Sequence, residues 1–138
     1  MNAPGETALY LKEAGVSRAG IMATDGTIQC GLIQKTLEEQ GIASVLPGQE
    51  EQAEVMSLIY DDIKAGKPVN PVKLEKVSEQ LFLKGAQVVL LACTELSLVK
   101  RDFSLGTGYL DVLEVLARKA VLACGRLRGE YRNLITEQ

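Results

Sequence analysis

Ala86-Gln87-Val88-Val89-Leu90-Leu91-Ala92-Cys93-Thr94-Glu95-Leu96 is the stretch that decides the fold. From Val88 to Ala92 it carries no polar residue, so it reads as a strand buried on both faces. Strands of this kind belong to α/β folds, whose ligands bind outside the carboxyl ends of the strands. Cys93 stands at that end, just before a polar turn. A thiol there is a candidate base or nucleophile, and a helix beginning at it would favour the thiolate. An inert core cysteine is the alternative reading.

Helical patterns flank this strand. Helices are expected over 6–14, stopped by Gly15, and over 28–40, stopped by Gly41. A third is expected over 49–65, with Met56, Ile59, Tyr60 and Ile63 on one face. A fourth over 72–84 has Leu74, Val77, Leu81 and Phe82 as its stripe. A long last helix is expected over 110–134, with Leu113, Leu116, Ala120, Cys124 and Leu127 inward. Residues 19–24 and 42–46 read as short strands, and a loop holding Arg101, Asp102, Gly106 and Gly108 follows Cys93. This alternation predicts an α/β fold: a narrow, doubly wound parallel sheet of three or four strands with helices on both faces. Residues 1–138 read as a single lobe. An opening helix, where this class usually opens on a strand, suits one lobe of a two-lobed protein.

The composition removes whole classes of chemistry. There is no histidine, so His-based triads and histidine zinc sites are out. Proton transfer near neutral pH falls to a thiol, carboxylate, lysine or tyrosine. A net charge of −3 and the absence of Trp imply no nucleic-acid partner. The three cysteines, Cys30, Cys93 and Cys124, form no C-x-x-C pair, and no metal site is expected. Reduced thiols suit a cytoplasmic protein. Met1-Asn2-Ala3-Pro4-Gly5-Glu6 reads as no leader, and no apolar run is long enough for a membrane span. Cys30 and Cys124 read as structural, and Arg118, Lys119, Arg126, Arg128, Glu130 and Arg132 as a solvated face of the last helix.

The second candidate loop is Thr24-Asp25-Gly26-Thr27, which follows a strand and opens a helix. Free amides and the helix dipole suit an anion there, Thr24 and Thr27 add hydroxyls, and Gly26 admits a ligand. A plain N-cap turn is the other reading. In a parallel sheet both loops leave the same edge, so Thr24, Thr27, Cys93 and Thr94 can face one pocket. Lys64 and Lys67 flank the break at Gly66 and read as surface lysines or as reaching an acidic substrate.

With these segments in place, the chain resembles the aspartate/glutamate racemase family. Gly20-Ile21-Met22-Ala23-Thr24-Asp25-Gly26-Thr27-Ile28 is similar to that family's G-h-h-A-T-x-G-T-h segment, where h is apolar. Residues 85–96 resemble its G-A-x-x-h-h-L-G-C-T-E-h segment, with Ala92 in place of the glycine. Tyr109-Leu110-Asp111 is similar to its closing h-h-D element. Glutamate racemases usually carry His after Cys-Thr, so Glu95 points to the aspartate or broad-specificity branch.

The resemblance implies a flavodoxin-like lobe and amino-acid racemisation without pyridoxal phosphate or any other cofactor. Two cysteines then face the two sides of the substrate α-carbon. It implies Cys93 as one of these acid–base thiols and Thr94 as a substrate contact. Thr24 and Thr27 would hold the α-carboxylate, and Lys67 a side-chain carboxylate. The family's first cysteine sits in a Cys-Asn-Thr motif of an N-terminal lobe, and this chain has no such motif. The match is to the C-terminal lobe. The implied partners are a small amino-acid substrate, an N-terminal lobe from the same parent chain or another subunit, and a further copy in a homo-oligomer. A carboxylate-binding module without the chemistry, and a thiol enzyme of another reaction class, are the alternatives.

Overall fold

Val88–Leu91 (β3) is fully buried, and its neighbours explain why. In the computed structural model, which describes residues 2–125, 129 and 133–137, β3 lies between β1 (Arg18–Met22) and β4 (Tyr109–Asp111). With β2 (Ala43–Val45) they form a parallel sheet in the order β2-β1-β3-β4. Side chains alternate along β3. Val89 and Leu91 join a core with Met22, Leu58, Leu74, Leu81 and Leu96, while Val88 and Leu90 join Ile21, Leu11, Leu37 and Val115 on the other face.

One layer is built by α1 (Ala3–Glu13), α3 (Leu32–Glu39) and α7 (Val112–Cys124), with α1 packed on both others. The other holds α4 (Gln49–Ser57), α5 (Pro71–Leu83) and α6 (Thr94–Asp102). The expected doubly wound α/β architecture is therefore present, with four strands.

Several expectations about elements need correction. The helix expected over 28–40 is two: α2 (Asp25–Cys30) and α3, parted at Gly31, whose φ of 73° is left-handed. The Gln34 side chain donates to Ile28 O at 2.9 Å across this break. The helix expected over 49–65 passes from α4 into a π-helical segment, Leu58–Ile63. Wider turns shift its inner face to Val55, Leu58, Ile59 and Asp62, and leave Tyr60 46% exposed. Lys73 clamps the segment, donating to Ser57 Oγ at 2.9 Å and pairing with Asp62 Oδ2 at 3.3 Å.

Beyond Cys93 the expected loop is helix α6. Leu96 and Val99, three apart, bury one side of it, and Arg101 and Asp102 pair with each other in solvent. The last helix does not begin at Leu110, which is in β4, nor reach Leu134. Asp111 caps it, accepting from Leu113 N at 2.9 Å. Residues 133–137 instead lie beside β4, where Gly108 N donates to Thr136 O and Thr136 N to Tyr109 O, each at 2.9 Å. Leu127, Arg126, Arg128, Glu130 and Arg132 lie outside the described residues. On α7 only Val115 is buried, while Leu113, Ala120 and Cys124 of the expected inward stripe are exposed.

The sheet and α5 approach closely at Gly20. A Cβ there would stand 3.2 Å from Leu81 Cβ and 3.3 Å from Ala86 Cβ. Gly20→Val is expected to destabilise the fold by about 1–3 kcal/mol through overpacking, as a lower urea midpoint with an unchanged slope.

Candidate active site

The register of β1 with β3 sets the site. Met22 pairs with Leu91, and Ala92 N donates to Met22 O at 2.9 Å. Thr24 and Cys93 each follow two residues after that pair, so they leave adjacent strand ends, about 4.8 Å apart in the ladder direction. The sheet edge expected from the sequence thus carries both loops.

Cys93 is extended (φ −143°, ψ 138°) and is the N-cap residue of α6. Its side chain does not cap the helix. The Sγ–H instead donates to Glu95 Oε2 at 2.8 Å, and the Thr94 hydroxyl donates to the same oxygen at 3.1 Å. Lys64, just beyond the π segment, stands 3.5 Å from the other oxygen, Oε1, with its ammonium 4.6 Å from the Tyr60 ring centroid. A thiol, a carboxylate and an ammonium thus lie in sequence.

Electrostatics follow from this contact. Burial pushes the Cys93 thiol up, and the bond to the Glu95 carboxylate adds to it, outweighing the Glu95 and Leu96 amides that favour the thiolate. The thiolate-favouring shift expected for a helix-start cysteine is therefore reversed here. Glu95 is pulled down to about 2, first by the Cys93 hydrogen bond, then by its own amide, the Thr94 hydroxyl and Lys64. Behind the thiol is an apolar concavity of about 160 Å³, lined by Ala3, Ala92, Thr94, Val112, Leu113 and Leu116. Ser97 Oγ, one turn into α6, donates to Asp111 Oδ1 at 2.7 Å, which ties α6 to the start of α7.

Thr24 caps α2. Its Oγ1 accepts from Thr27 N at 3.3 Å, and the two hydroxyls are 3.0 Å apart. Gln52 braces the turn, donating to Ala23 O and to Asp25 Oδ1 at 2.9 Å each. Nothing lies within 4 Å of where a Gly26 Cβ would be, so this backbone is open to approach. Lys67 is exposed in the turn past the π segment, its amide donating to Asp62 O at 2.8 Å; the lysine beside Glu95 is Lys64. Cys30 and Cys124 are free and exposed at the ends of α2 and α7, not in the core.

Sequence reasoning reaches Lys64 as a surface lysine or one facing an acidic substrate, not as the partner of Glu95, and does not reach Ser97. The signal for Lys64 is its place beside the Gly66 break; Ser97 has none. Among the described residues no helix is long and apolar enough to cross a membrane, and no group of three or more His, Cys, Asp or Glu is placed to hold a metal.

Glu95 has a folded pKa of about 2 against an ordinary 4.5, so it favours the folded state above about 4.5, and this contribution is lost as pH falls toward 2. Glu95→Gln is expected to shrink the loss of stability between pH 7 and pH 3, read from urea midpoints at both.

The chain is similar to known proteins in sequence and fold. The Asp/Glu/hydantoin racemase family profile matches residues 2–120. The "uncharacterized protein in pnlA 3′region" of Pectobacterium carotovorum subsp. carotovorum is 30% identical over 119 residues, 83% of this chain and 78% of that relative. The Picrophilus torridus aspartate racemase superposes with a TM-score of 0.72 at 25% identity, over 96% of this chain and 56% of that one. An aspartate racemase homologue from Pyrococcus horikoshii OT3 superposes with a TM-score of 0.76 at 26% identity, over 89% of this chain and 55% of that one. The chain spans just over half the length of these solved relatives. With the profile covering most of its length, the chain belongs to the Asp/Glu/hydantoin racemase family.

Proposed function

We propose that this chain is the C-terminal lobe of a cofactor-independent amino-acid racemase for aspartate, glutamate or a similar amino acid, with Cys93 as the proton-transfer thiol on one face of the α-carbon. The observation that carries the reading is a half-buried Cys93 thiol at the open end of β3, beside the Thr24-Asp25-Gly26-Thr27 turn. Kinship with proteins described as an aspartate racemase and an aspartate racemase homologue supports the substrate class.

The chemistry follows from the placement. The turn at Thr24 and Thr27 receives the α-carboxylate on hydroxyls and helix-start amides, next to the carbon where negative charge develops. Thr94 adds a contact. A lysine from the segment around Gly66 takes a side-chain carboxylate: Lys67 by the family resemblance, with Lys64 nearer the thiol. A base on the opposite face breaks the Cα–H bond, and the electron pair left on carbon takes the Cys93 proton on the near face, inverting the centre. One thiol serves one face. Cys124 ends α7 about 18 Å along the helix from Val112, at the concavity. Cys30 ends helix α2 and does not stand at a strand end, so the second base is assigned to an N-terminal lobe, in the same parent chain or another subunit. Three free cysteines suit a reducing, cytoplasmic setting.

A carboxylate-binding module without the chemistry is the second reading. It is favoured by Cys93 being the one thiol at a strand end among the described residues, Cys30 and Cys124 standing at helix ends. Incubation with each enantiomer of aspartate and glutamate in heavy water separates the two. With the N-terminal lobe supplied, in the same parent chain or by another subunit, loss of the α-proton signal by NMR, abolished in Cys93→Ser, is the expected result. Exchange that survives Cys93→Ser sinks the assignment, and binding without exchange in the parent favours the module.

A further inference from the structure

We infer that Glu95 is a positioning residue that grips the Cys93 sulfur by a hydrogen bond and keeps it proton-bearing, while Lys64 faces the other carboxylate oxygen and keeps Glu95 turned for that grip. The inference rests on the reading of Cys93 as a proton-transfer thiol, and it assigns how this half of the site is set before substrate arrives.

The geometry is specific. An ionised carboxylate only accepts hydrogen bonds, so a sulfur 2.8 Å from Glu95 Oε2 must bring the hydrogen. A thiolate there would put two negative acceptors in contact. The two carboxylate oxygens divide their partners accordingly. Oε1 faces the Lys64 ammonium, and Oε2 collects the Cys93 S–H and the Thr94 O–H. Against this grip act the Glu95 and Leu96 amides at the start of α6, which favour thiolate.

No other titratable group among the described residues competes for the sulfur. At the β4–α7 junction, Asp111 Oδ1 is taken by Ser97 Oγ and Leu113 N. At the end of β1, Asp25 Oδ1 is taken by Gln52. From α1, uncharged Ala3 lines the concavity. The half-site therefore waits as the acid of the pair. When the S–H proton passes to the α-carbon, sulfur keeps the bonding pair and lies against Glu95 as a repelled thiolate, which favours its reprotonation.

The test uses the chain with Cys30→Ser and Cys124→Ser, leaving Cys93 as the single thiol. Iodoacetamide alkylation is followed by mass spectrometry as a function of pH, with no substrate. The parent midpoint is expected above that of an ordinary free thiol. Glu95→Gln and Glu95→Ala are both expected to lower the midpoint and to speed alkylation several-fold at pH 7.5, with melting curves checking the fold. A change in rate by the same factor at every pH, with the midpoint unmoved, assigns Glu95 a merely structural part and overturns the inference, as does a midpoint that rises. Because alkylation needs neither substrate nor second base, a lowered midpoint without α-proton exchange when the N-terminal lobe is supplied would sink the racemase reading and leave this role of Glu95 standing.

Discussion

The parallel pairing of β3 with β1 is the constraint on which the rest of the molecule depends. It aligns Met22 with Leu91, and every later placement follows from that register. A slip of one residue would turn Val89 and Leu91 away from the α5 layer and toward the α1 layer, exchanging the two cores. It would also part the Thr24 turn from Cys93. The close approach of α5 at Gly20 holds this register from one side, and β4 holds it from the other. The site inherits its precision from the sheet and needs little from its own loops.

Local electrostatics then set what the cysteine is. Burial and one carboxylate oppose two amides, and burial and the carboxylate prevail. The same bond seen from the other partner leaves Glu95 firmly ionised, so the two groups reinforce opposite charge states in each other. Lys64 keeps the pair from being an isolated negative charge.

Much of this is legible in the sequence, for identifiable reasons. The β3 run is long, unbroken and closed by a polar turn, so its burial and the exit of Cys93 can be read directly. Thr24 declares itself as a cap. The three-residue β4 cannot be read, because Tyr109-Leu110-Asp111 is too short for a period and Asp111 serves as strand end and helix cap at once. The split at Gly31 hides inside an otherwise helical pattern. The state of the thiol escapes sequence reasoning because residues two apart do not face each other on a helix. Cys93, however, is still extended, and that lets Glu95 fold back onto it.

The π-helical segment gives Lys64 its place in a way that residue counting misses. Each residue of an α-helix turns the chain by about 100°, and a stretch of wider turns accumulates a lag behind that rotation. Six residues of it, Leu58–Ile63, deliver Lys64 at a different clock position from the one an uninterrupted α-helix from Gln49 would give. The Lys73–Asp62 clamp holds that phase fixed. Which of the two lysines flanking Gly66 meets the carboxylate is thus a matter of helical timing upstream, and two relatives with identical lysines but different winding here would present different cations to the same thiol.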